Sequence, residues 1–393
     1  IPVVSPRADK IPESGGGLPG ANKPDLQLLP EGGGLVAGLR SRVAFKAIGV
    51  NGLGSGVKGN VTDSTGKVIT TFASTHLGMG AFEIMPDAGK NYNANLTFAN
   101  GYQTTINLPA VQQSGITLAV DNDSLQKVSV IVKANAEYLK QNKNKEYKVI
   151  VYSGGLITVV NCALDSSETR LDIAKRRMRT GINTVTLFSP DNEPLAERLF
   201  FIQNYDKLNL EVKSDKTTYN AREKIDIRLN AKNRADSVVA GHFSVSVTDE
   251  SIVPVDENNE NTILSSLLLT DDLKGTVEQP GYYFSNTSDT TLKNLDLVML
   301  THGYRNFEWK EILKGDNQPL KYHIEKGLDI AGNATTVSGR PLAKGTISLI
   351  APGIGGPVLT TETNEKGDFR FPDLEFNDTT KFILQAVNNK GNN

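Results

Sequence analysis

The first half of the chain consists of short runs in which apolar and polar residues alternate. Turn-forming stretches, Asp63–Gly66 and Pro86–Gly89, punctuate these runs. Alternation places every second side chain on the same face, which is typical of a strand with one buried side. Runs at this short, regular spacing predict a β-sandwich over the first part of the chain. They lie at 42–47, 56–61, 67–72, 80–85 and 92–98.

Two further blocks show the same alternation. In the second block, the polar stretches 140–146 and 191–194 predict turns between strands. The third block begins at Leu208. Each block predicts another sandwich. The runs of the second block lie at 129–133, 147–152, 157–163, 169–174, 184–188 and 197–202, and those of the third at 208–212, 225–229 and 242–248.

The spacing of apolar residues changes at 263–273 and 292–313, where it approaches the period of an α-helix. Such a stripe predicts an αβ insertion in the third sandwich or an extended, partly helical tail on it. In the second stretch, the side chains expected on one helical face are those of Leu295, Val298, Met299, Tyr304 and Phe307.

Alternation returns after Lys321. Asn364–Gly367 predicts a hairpin turn there, because glycine adopts positive φ without strain. The alternating runs in this block are numerous enough for one small sandwich. They lie at 345–350, 358–362, 368–371 and 381–386.

The charge balance argues against a polyanionic partner. The chain of 393 residues has 42 basic and 44 acidic residues, a formal net charge of −2. This balance provides no electrostatic reason to expect binding to nucleic acid or to an anionic membrane. The sequence also has no apolar run of about 18 residues, the length expected of a membrane-spanning helix. The only cysteine, Cys162, excludes an intrachain disulfide and is predicted to be a small buried residue.

Residues that could support catalysis or metal binding are scattered along the sequence. The histidines His76, His242, His302 and His323 lie far apart, without the spacing of metal ligands. No G-x-S-x-G motif is present, and the glycine-rich runs are not followed by the Lys-Ser/Thr of a phosphate loop. Acidic clusters such as Asp121–Asp123 lack the spacing of a calcium loop. We therefore expect a protein that is not an enzyme and that has no metal or cofactor.

The densest group of aromatic residues lies in the helical part of the third block. Aromatic rings in such a group can line a groove for a sugar or a peptide. They can equally pack the helical insertion against its sandwich, and the sequence leaves both interpretations open. The residues proposed as ligand or partner contacts are Tyr282, Tyr283, Phe284, Tyr304 and Trp309.

A family resemblance is carried by segments that together extend over roughly residues 25–310. They lie at 29–39, 42–47, 76–82, 86–90, 194–201, 243–249, 267–273 and 297–305. These segments resemble the macroglobulin-type domains of large outer-membrane-associated proteins of the Bacteroidetes. The chain lacks the Cys-Gly-Glu-Gln thioester motif of the protease-trapping macroglobulins, since Cys162 stands between Asn161 and Ala163. Covalent protease trapping is therefore not expected.

The last block resembles the carboxypeptidase regulatory-like fold, a small transthyretin-like sandwich. The resemblance is carried by Gly339–Ala343 and Thr361–Phe371. In similar proteins this domain precedes the plug of a TonB-dependent receptor. The resemblance implies a periplasmic extension of such a receptor, with a native chain that continues past Asn393. Association with the membrane would then occur only through parts outside this sequence.

The predicted fold class is mainly β, with tandem immunoglobulin-like (macroglobulin-type) sandwiches, a transthyretin-like sandwich and a partly helical insertion. The predicted divisions are a linker at 1–24, macroglobulin-like sandwiches at 25–114 and 115–205, a third with the helical insertion at 206–318, and the regulatory-like sandwich at 319–393.

We consider three functions. The first is a non-catalytic, exported scaffold in the periplasm or at the outer membrane, which contacts envelope proteins of an uptake or assembly system. The second is a macroglobulin-like module that binds proteases without a thioester and exposes a bait segment at 254–291. The third is a glycan-binding module that uses the aromatic group.

Overall fold

A computed structural model describes residues 23–204, 206–304, 307–315, 327–350, 358–374 and 381–388. All but the last two residues of the predicted linker at 1–24 lie outside this description. The chain divides into two compact units, residues 1–315 and 316–393. Within both units the sheets are small and almost entirely antiparallel, so the predicted mainly β fold class is confirmed.

The first sandwich packs a three-stranded sheet, in the order β1-β3-β6, on a four-stranded sheet, β5-β4-β7-β8. Strand β7 alternates buried and partly exposed residues along its whole length, as the sequence pattern predicts. Phe45 lies at the centre of the core, with its ring centroid 5.0 Å from that of Phe72. The strands are β1 Asp25–Pro30, β2 Leu35–Val36, β3 Ser41–Ile48, β4 Val57–Asp63, β5 Val68–Ala73, β6 Met79–Ile84, β7 Tyr92–Phe98, β8 Gln103–Asn107 and β9 Val111–Gln112.

The second sandwich has the sheets β10-β11-β14 and β13-β12-β15-β16. Cys162 is buried in its core, as predicted. The sequence missed a short helix, α1, which Asn135 caps by accepting a hydrogen bond from the Tyr138 amide. The elements are β10 Ile116–Asp121, β11 Lys127–Ala134, α1 Ala136–Asn142, β12 Glu146–Ser153, β13 Leu156–Ala163, β14 Glu168–Ala174, β15 Gly181–Phe188 and β16 Pro194–Ile202.

Strand β15 departs from simple alternation, because all eight of its residues are buried. Val185 and Leu187 face the core of the second sandwich, whereas Ile182 belongs to a separate cluster on the other side of the sheet. A strand covered on both faces needs no polar side. Residues 263–304 cover the second face of this strand.

Only one hairpin follows the second sandwich in the described residues of 206–262. Strands β17 Asn209–Ser214 and β18 Ile227–Lys232 form a two-stranded antiparallel sheet. The strand predicted at 242–248 was wrong, since these residues have no regular structure and are exposed. An isolated antiparallel bridge joins Lys232 to Val238, before this range. An alternating segment forms a stable strand when a second layer covers its apolar side, and none does so here.

Residues 263–304, which we call the helical segment, contain α2 Ile263–Leu268, α3 Tyr282–Ser285 and α4 Asp289–Thr301. Thr262 and Ser265 form a capping box at the start of α2, and Ser288 caps α4. The single helical stretch predicted at 292–313 was wrong in its length, because α4 ends at Thr301. A separate short helix, α5 Trp309–Leu313, follows.

The second unit contains a small core between the sheets β19-β22 and β21-β20-β23. The turn predicted at Asn364–Gly367 is present, with Gly367 at φ 83°. The strands that it joins belong to different sheets, so it is not a hairpin turn within one sheet. The strands are β19 Leu328–Asn333, β20 Thr346–Ile350, β21 Leu359–Glu362, β22 Asp368–Leu374 and β23 Ile383–Val387.

Candidate functional site

The helical segment packs on both sandwiches of the first unit and forms one apolar core with them. Met79 contributes from the first sandwich, and Ile182, Leu199 and Phe201 contribute from the second. Each fully buried large aliphatic side chain stabilises such a core by about 1.5–3 kcal/mol. The buried apolar residues that the helical segment contributes to this core are Leu269, Leu273, Val277, Tyr283, Leu295, Leu297, Val298, Met299 and Tyr304.

A buried arginine stands where these three parts meet. Arg198 lies on β16, and its side chain is 3% exposed. Its Nε donates to Glu31 Oε1 of the first sandwich at 2.8 Å, and its Nη2 donates to Asp296 Oδ1 of α4 at 2.6 Å. Arg198 Nη1 also donates to the carbonyl of Leu199. One guanidinium therefore joins the first sandwich, the second sandwich and the helical segment.

The charges around Arg198 balance. Arg42 of β3 donates to the other oxygen of Asp296 at 2.8 Å, so two arginines face two carboxylates. Burial alone would lower the pKa of Arg198, but the charges of Asp296 and Glu31 outweigh it and raise that pKa. A buried ion with balanced partners and satisfied donors is tolerated, whereas losing one partner leaves a buried charge uncompensated.

The first and second sandwiches also touch through backbone. A Cβ on Gly32 would lie 2.1 Å from the carbonyl oxygen of Leu118 in β10, and Gly32 has φ 74°. Any other residue at this position would separate the two domains. Beside it, Glu31 Oε1 accepts from the Val120 amide at 3.4 Å. At this glycine-rich turn the two backbones therefore lie in direct contact.

A second polar contact joins the helical segment to the first sandwich. Lys46 Nζ lies 2.8 Å from His302 Nε2. Burial, followed by the nearby Lys46 charge, lowers the pKa of His302 to about 4. Burial also lowers the pKa of Lys46, against the opposing charge of Glu278. His302 is therefore neutral near pH 7 and able to accept a hydrogen bond from the ammonium group.

The structure brings most of the aromatic residues singled out from the sequence into this packed region. Tyr283 and Tyr304 are buried, and Tyr282 and Phe284 are partly buried against the same core. His76 Nε2 lies 3.0 Å from the Tyr283 hydroxyl, and the His76 ring stacks on Tyr282 at 4.8 Å. Of the two interpretations left open above, this arrangement fits packing.

Trp309 does not contact the tyrosines directly. The ring of Phe307 lies between them and contacts both Tyr304 and Trp309. Its indole Nε1 donates to Thr186 Oγ1 of β15 at 2.8 Å. Its ring meets those of Phe188 and Phe307 edge-on, each at 5.1 Å. Helix α5 is therefore held on the second sandwich, and Trp309 is only partly exposed.

Hollows on the described part of the first unit include a smaller one beside the junction, the place where the two sandwiches and the helical segment meet around Arg198. This hollow has a volume of about 130 Å³ and is lined by Glu31, Arg198, Met299 and His302 among others. Its volume is below that of a typical small-molecule site, which is roughly 300–1,000 Å³.

The larger hollow, about 690 Å³, lies on the outer face of the four-stranded sheet of the first sandwich. Asn95 donates to Asn60 at 3.0 Å and accepts from Thr105 at 2.9 Å. These amides and hydroxyls satisfy one another, so the face does not require a ligand. This face was not predicted from the sequence, although its polar residues occupy outward positions of the predicted strands.

Within the residues that the structure describes, no group of three or more His, Cys, Asp or Glu side chains could hold a metal ion. Among the same residues, no helix has the length and hydropathy required to cross a bilayer.

No protein-family model matches the chain, and no curated protein matches its sequence. Structurally similar proteins include invasin, a bacterial integrin-binding protein, with 12% identity over 55% of this chain and 48% of that chain, and a TM-score of 0.21. A Salmonella alpha-2-macroglobulin mutant has 10% identity over 55% and 19%, with a TM-score of 0.19. Latent PorU from Porphyromonas gingivalis has 11% identity over 53% and 27%, with a TM-score of 0.16.

The alignment therefore covers less than half the length of each of these proteins. At such TM-scores the likeness carries no argument about function. The macroglobulin-type and receptor-type resemblances of the sequence remain predictions.

Proposed function

We propose that this chain is a non-catalytic interaction scaffold in which two sandwiches and a helical segment act as one rigid platform. The observation that carries the proposal is the buried contact of Arg198 with Glu31 and Asp296, which joins three separate parts of the chain. A platform held in this way keeps its outer surfaces at fixed distances from one another. Fixed surfaces favour docking, because less conformational freedom is lost on binding.

The partners of the polar side chains near the junction support a non-catalytic role. The chemically versatile side chains near the junction, such as Arg198, His302 and Lys46, have neighbouring chain groups as partners. A nucleophile or general base needs a partner and also space for a substrate. The hollow beside these residues is small.

We further propose that the platform is exported and belongs to the periplasmic part of a TonB-dependent receptor-like protein of the Bacteroidetes. The support is the sequence resemblance of 29–39, 194–201 and 297–305 to macroglobulin-type segments and of Thr361–Phe371 to a regulatory-like domain. Its partners would then be envelope proteins of an uptake or assembly system.

Photocrosslinking in a bacterium that encodes the chain tests the scaffold. A photoreactive residue is placed at exposed positions, Val68 on the first sandwich and Val159 on the second. We expect one envelope protein to be captured repeatedly and, once purified, to bind the chain saturably. A matched Arg198→Ala variant should bind more weakly, because its platform is no longer held. Absence of any saturable envelope partner, or turnover of a substrate, would contradict the proposal.

One observation favours the protease-binding alternative in a narrower form. Residues 254–262, at the start of the predicted bait segment, are exposed and lack helix and strand. Much of the remaining range is packed, with Leu269, Leu273 and Tyr283 buried. Incubation with a protease that cleaves after glutamate, followed by gel filtration, tests this function, because Glu257 and Glu260 lie in the exposed part. Cleavage confined to the exposed part with retention of the protease would support it, and cleavage without retention would reject it.

A further inference from the structure

Three loops meet at one end of the second sandwich, which we call the basic end. They lie within residues 122–126, 153–157 and 175–179. The Lys175 amide donates to the Gln126 carbonyl at 2.9 Å. The loop that begins at Lys175 therefore adjoins the turn between β10 and β11.

The same loop also adjoins the turn between β12 and β13. The Arg179 amide donates to Ser153 Oγ at 2.7 Å. A Cβ on Gly154 would lie 3.2 Å from Arg179 Cδ, so the arginine side chain lies along this turn. Met178 is buried in the core of the sandwich, and its carbonyl accepts from Asn204 Nδ2 at 2.9 Å. The loop is therefore anchored at Met178, and the residues on either side of it project from a fixed backbone.

The basic end has an excess of positive charge. It contains four basic residues and one acidic residue, Asp123. Burial lowers the pKa of Lys175, and the charge of Asp123 opposes that shift, so the one carboxylate lies close to this lysine. The other three basic residues are exposed, and none of them forms an ion pair with another described residue. They are Arg176, Arg177 and Arg179.

Charges next to the basic end do not remove this excess. Asp206 accepts a hydrogen bond from Thr180 Oγ1 at 2.6 Å. Lys207 is exposed directly after Asp206, and the exposed Arg234 donates to the Asn204 carbonyl at 3.4 Å. The balance of charges over the whole chain therefore does not extend to this region.

Large aliphatic side chains protrude beside these arginines. Leu125, in the turn between β10 and β11, is 85% exposed. Leu156 and Ile157, at the start of β13, are 45% and 62% exposed. Exposed aliphatic side chains next to cations are typical of surfaces that lie in the interfacial layer of a bilayer. There the aliphatic groups enter the boundary of the acyl chains, and the cations are attracted by anionic lipids.

We propose that the basic end docks on a bilayer that contains anionic phospholipids. Leu125 and Leu156 enter the interfacial layer, and Arg176, Arg177 and Arg179 contact phosphate groups. The guanidinium group fits phosphate oxygens in a bidentate geometry. A fluid lipid layer accommodates protruding side chains, whereas an acidic protein would need a pocket for each of them, so the observations favour the bilayer. The proposal does not rest on the scaffold function.

Flotation of the full chain with lipid vesicles tests the proposal. We expect binding to vesicles of phosphatidylcholine and phosphatidylglycerol that weakens as salt is added, and little binding to phosphatidylcholine alone. The triple variant Arg176→Gln, Arg177→Gln and Arg179→Gln should bind the anionic vesicles at least roughly tenfold more weakly.

The matched control is the triple variant Lys140→Gln, Lys143→Gln and Lys145→Gln. It removes the same charge from exposed lysines near the opposite end of β12, where Glu137 and Glu146 lie among them, and it should bind as the unmodified chain does. Equal losses in the two triple variants would overturn the proposal, as would a chain that does not float with anionic vesicles. Capture of an acidic protein through the three arginines, without vesicle binding, would also overturn it.

A fluorescent label distinguishes insertion from electrostatic adsorption and leaves the arginines intact. The native Cys162 is buried, so a new surface cysteine is the reactive one. A polarity-sensitive fluorophore attached through Leu125→Cys should shift to shorter wavelength on anionic vesicles. The same fluorophore attached through Val50→Cys, at a position of the first sandwich that is 59% exposed, should not shift. Equal spectra at the two positions in the vesicle-bound chain would overturn the proposed insertion.

Discussion

Two regions of the first unit both have regularly spaced apolar residues, with a helical period in the helical segment and strict alternation in the hairpin, but the two regions differ in burial. In the helical segment, Leu269, Leu273 and Val298 are completely buried. In the hairpin, Leu210 and Val212 remain about half exposed, at 49% and 58%. Apolar periodicity identifies the side chains that are expected to be buried. It does not identify the surface that will provide one.

Polar contacts distinguish the two regions. The helical segment is connected to the sandwiches by specific pairs, Asp296 with Arg198 and Tyr283 with His76. The hairpin has its ion pairs within its own sheet, such as Lys213 with Glu211. A buried polar pair fixes which surfaces meet, because a mismatched arrangement leaves a charge without a partner. Substitutions in the helical segment and at its polar contacts should therefore cost more stability than substitutions in the hairpin.

Arg198→Ala should cause the largest loss. It leaves Glu31, whose side chain is 7% exposed, without its cation, and removing one partner of a buried pair costs about 3–5 kcal/mol. Urea unfolding measures the free energy of unfolding. The control Arg42→Ala removes a side chain that is 35% exposed and should cost about 1 kcal/mol or less. Equal losses for the two variants would show that the junction is not centred on Arg198.

Leu269→Ala tests the apolar contact of the helical segment. Leu269 is completely buried, so we expect a loss of about 2–5 kcal/mol in the free energy of unfolding. The nearby Leu267 is 64% exposed, and Leu267→Ala should change stability by no more than about 0.5 kcal/mol. A small effect at Leu269 would mean that the helical segment is not part of the core.

Acidification should weaken the first unit through His302. The pKa of this histidine is about 4 in the folded chain, compared with 6.5 for an unperturbed one. Between these values the unfolded chain binds more protons, so the free energy of unfolding falls as the pH decreases from about 6.5 to 4, by up to about 3 kcal/mol. His302→Gln should remove this part of the loss, and His242→Gln, at an exposed position, should not. Urea unfolding at several pH values measures both, and identical profiles would contradict the assignment.

Val212→Ser should have the smallest effect on the folded monomer. Its side chain is 58% exposed and belongs to no core of the described residues, so stability should change by about 0.5 kcal/mol or less. Urea unfolding measures the change. A loss comparable to that of Leu269→Ala would show that the hairpin face is covered within one chain.

The strands of the two sandwiches could be predicted because their signal is local. Alternation at 42–47 and 92–98 corresponds closely to β3 and β7. The helical periodicity around Leu295 and Val298 was also visible, but the surface covered by that face depends on residues far away in sequence. The face packs on β16 and the first sandwich, whereas the sequence predicted an insertion in a third sandwich.

The junction itself could not be predicted, since Glu31, Arg198 and Asp296 are far apart in sequence. One signal was present. Arg198 interrupts a run that is otherwise nearly apolar as far as Ile202, and Asp296 stands between Leu295 and Leu297. A charge inside an apolar run suggests a buried partner of opposite sign. It does not show which of the chain's 44 acidic residues that partner is.

Hydrogen–deuterium exchange can show whether the helical segment is part of the core while the hairpin region is not. Backbone amides exchange according to the free energy of local opening. We predict that α4 is protected as strongly as β12 and β15, whereas residues 240–262 exchange without protection and the hairpin with little. Rapid exchange of α4 while the two sandwiches stay protected would contradict the account.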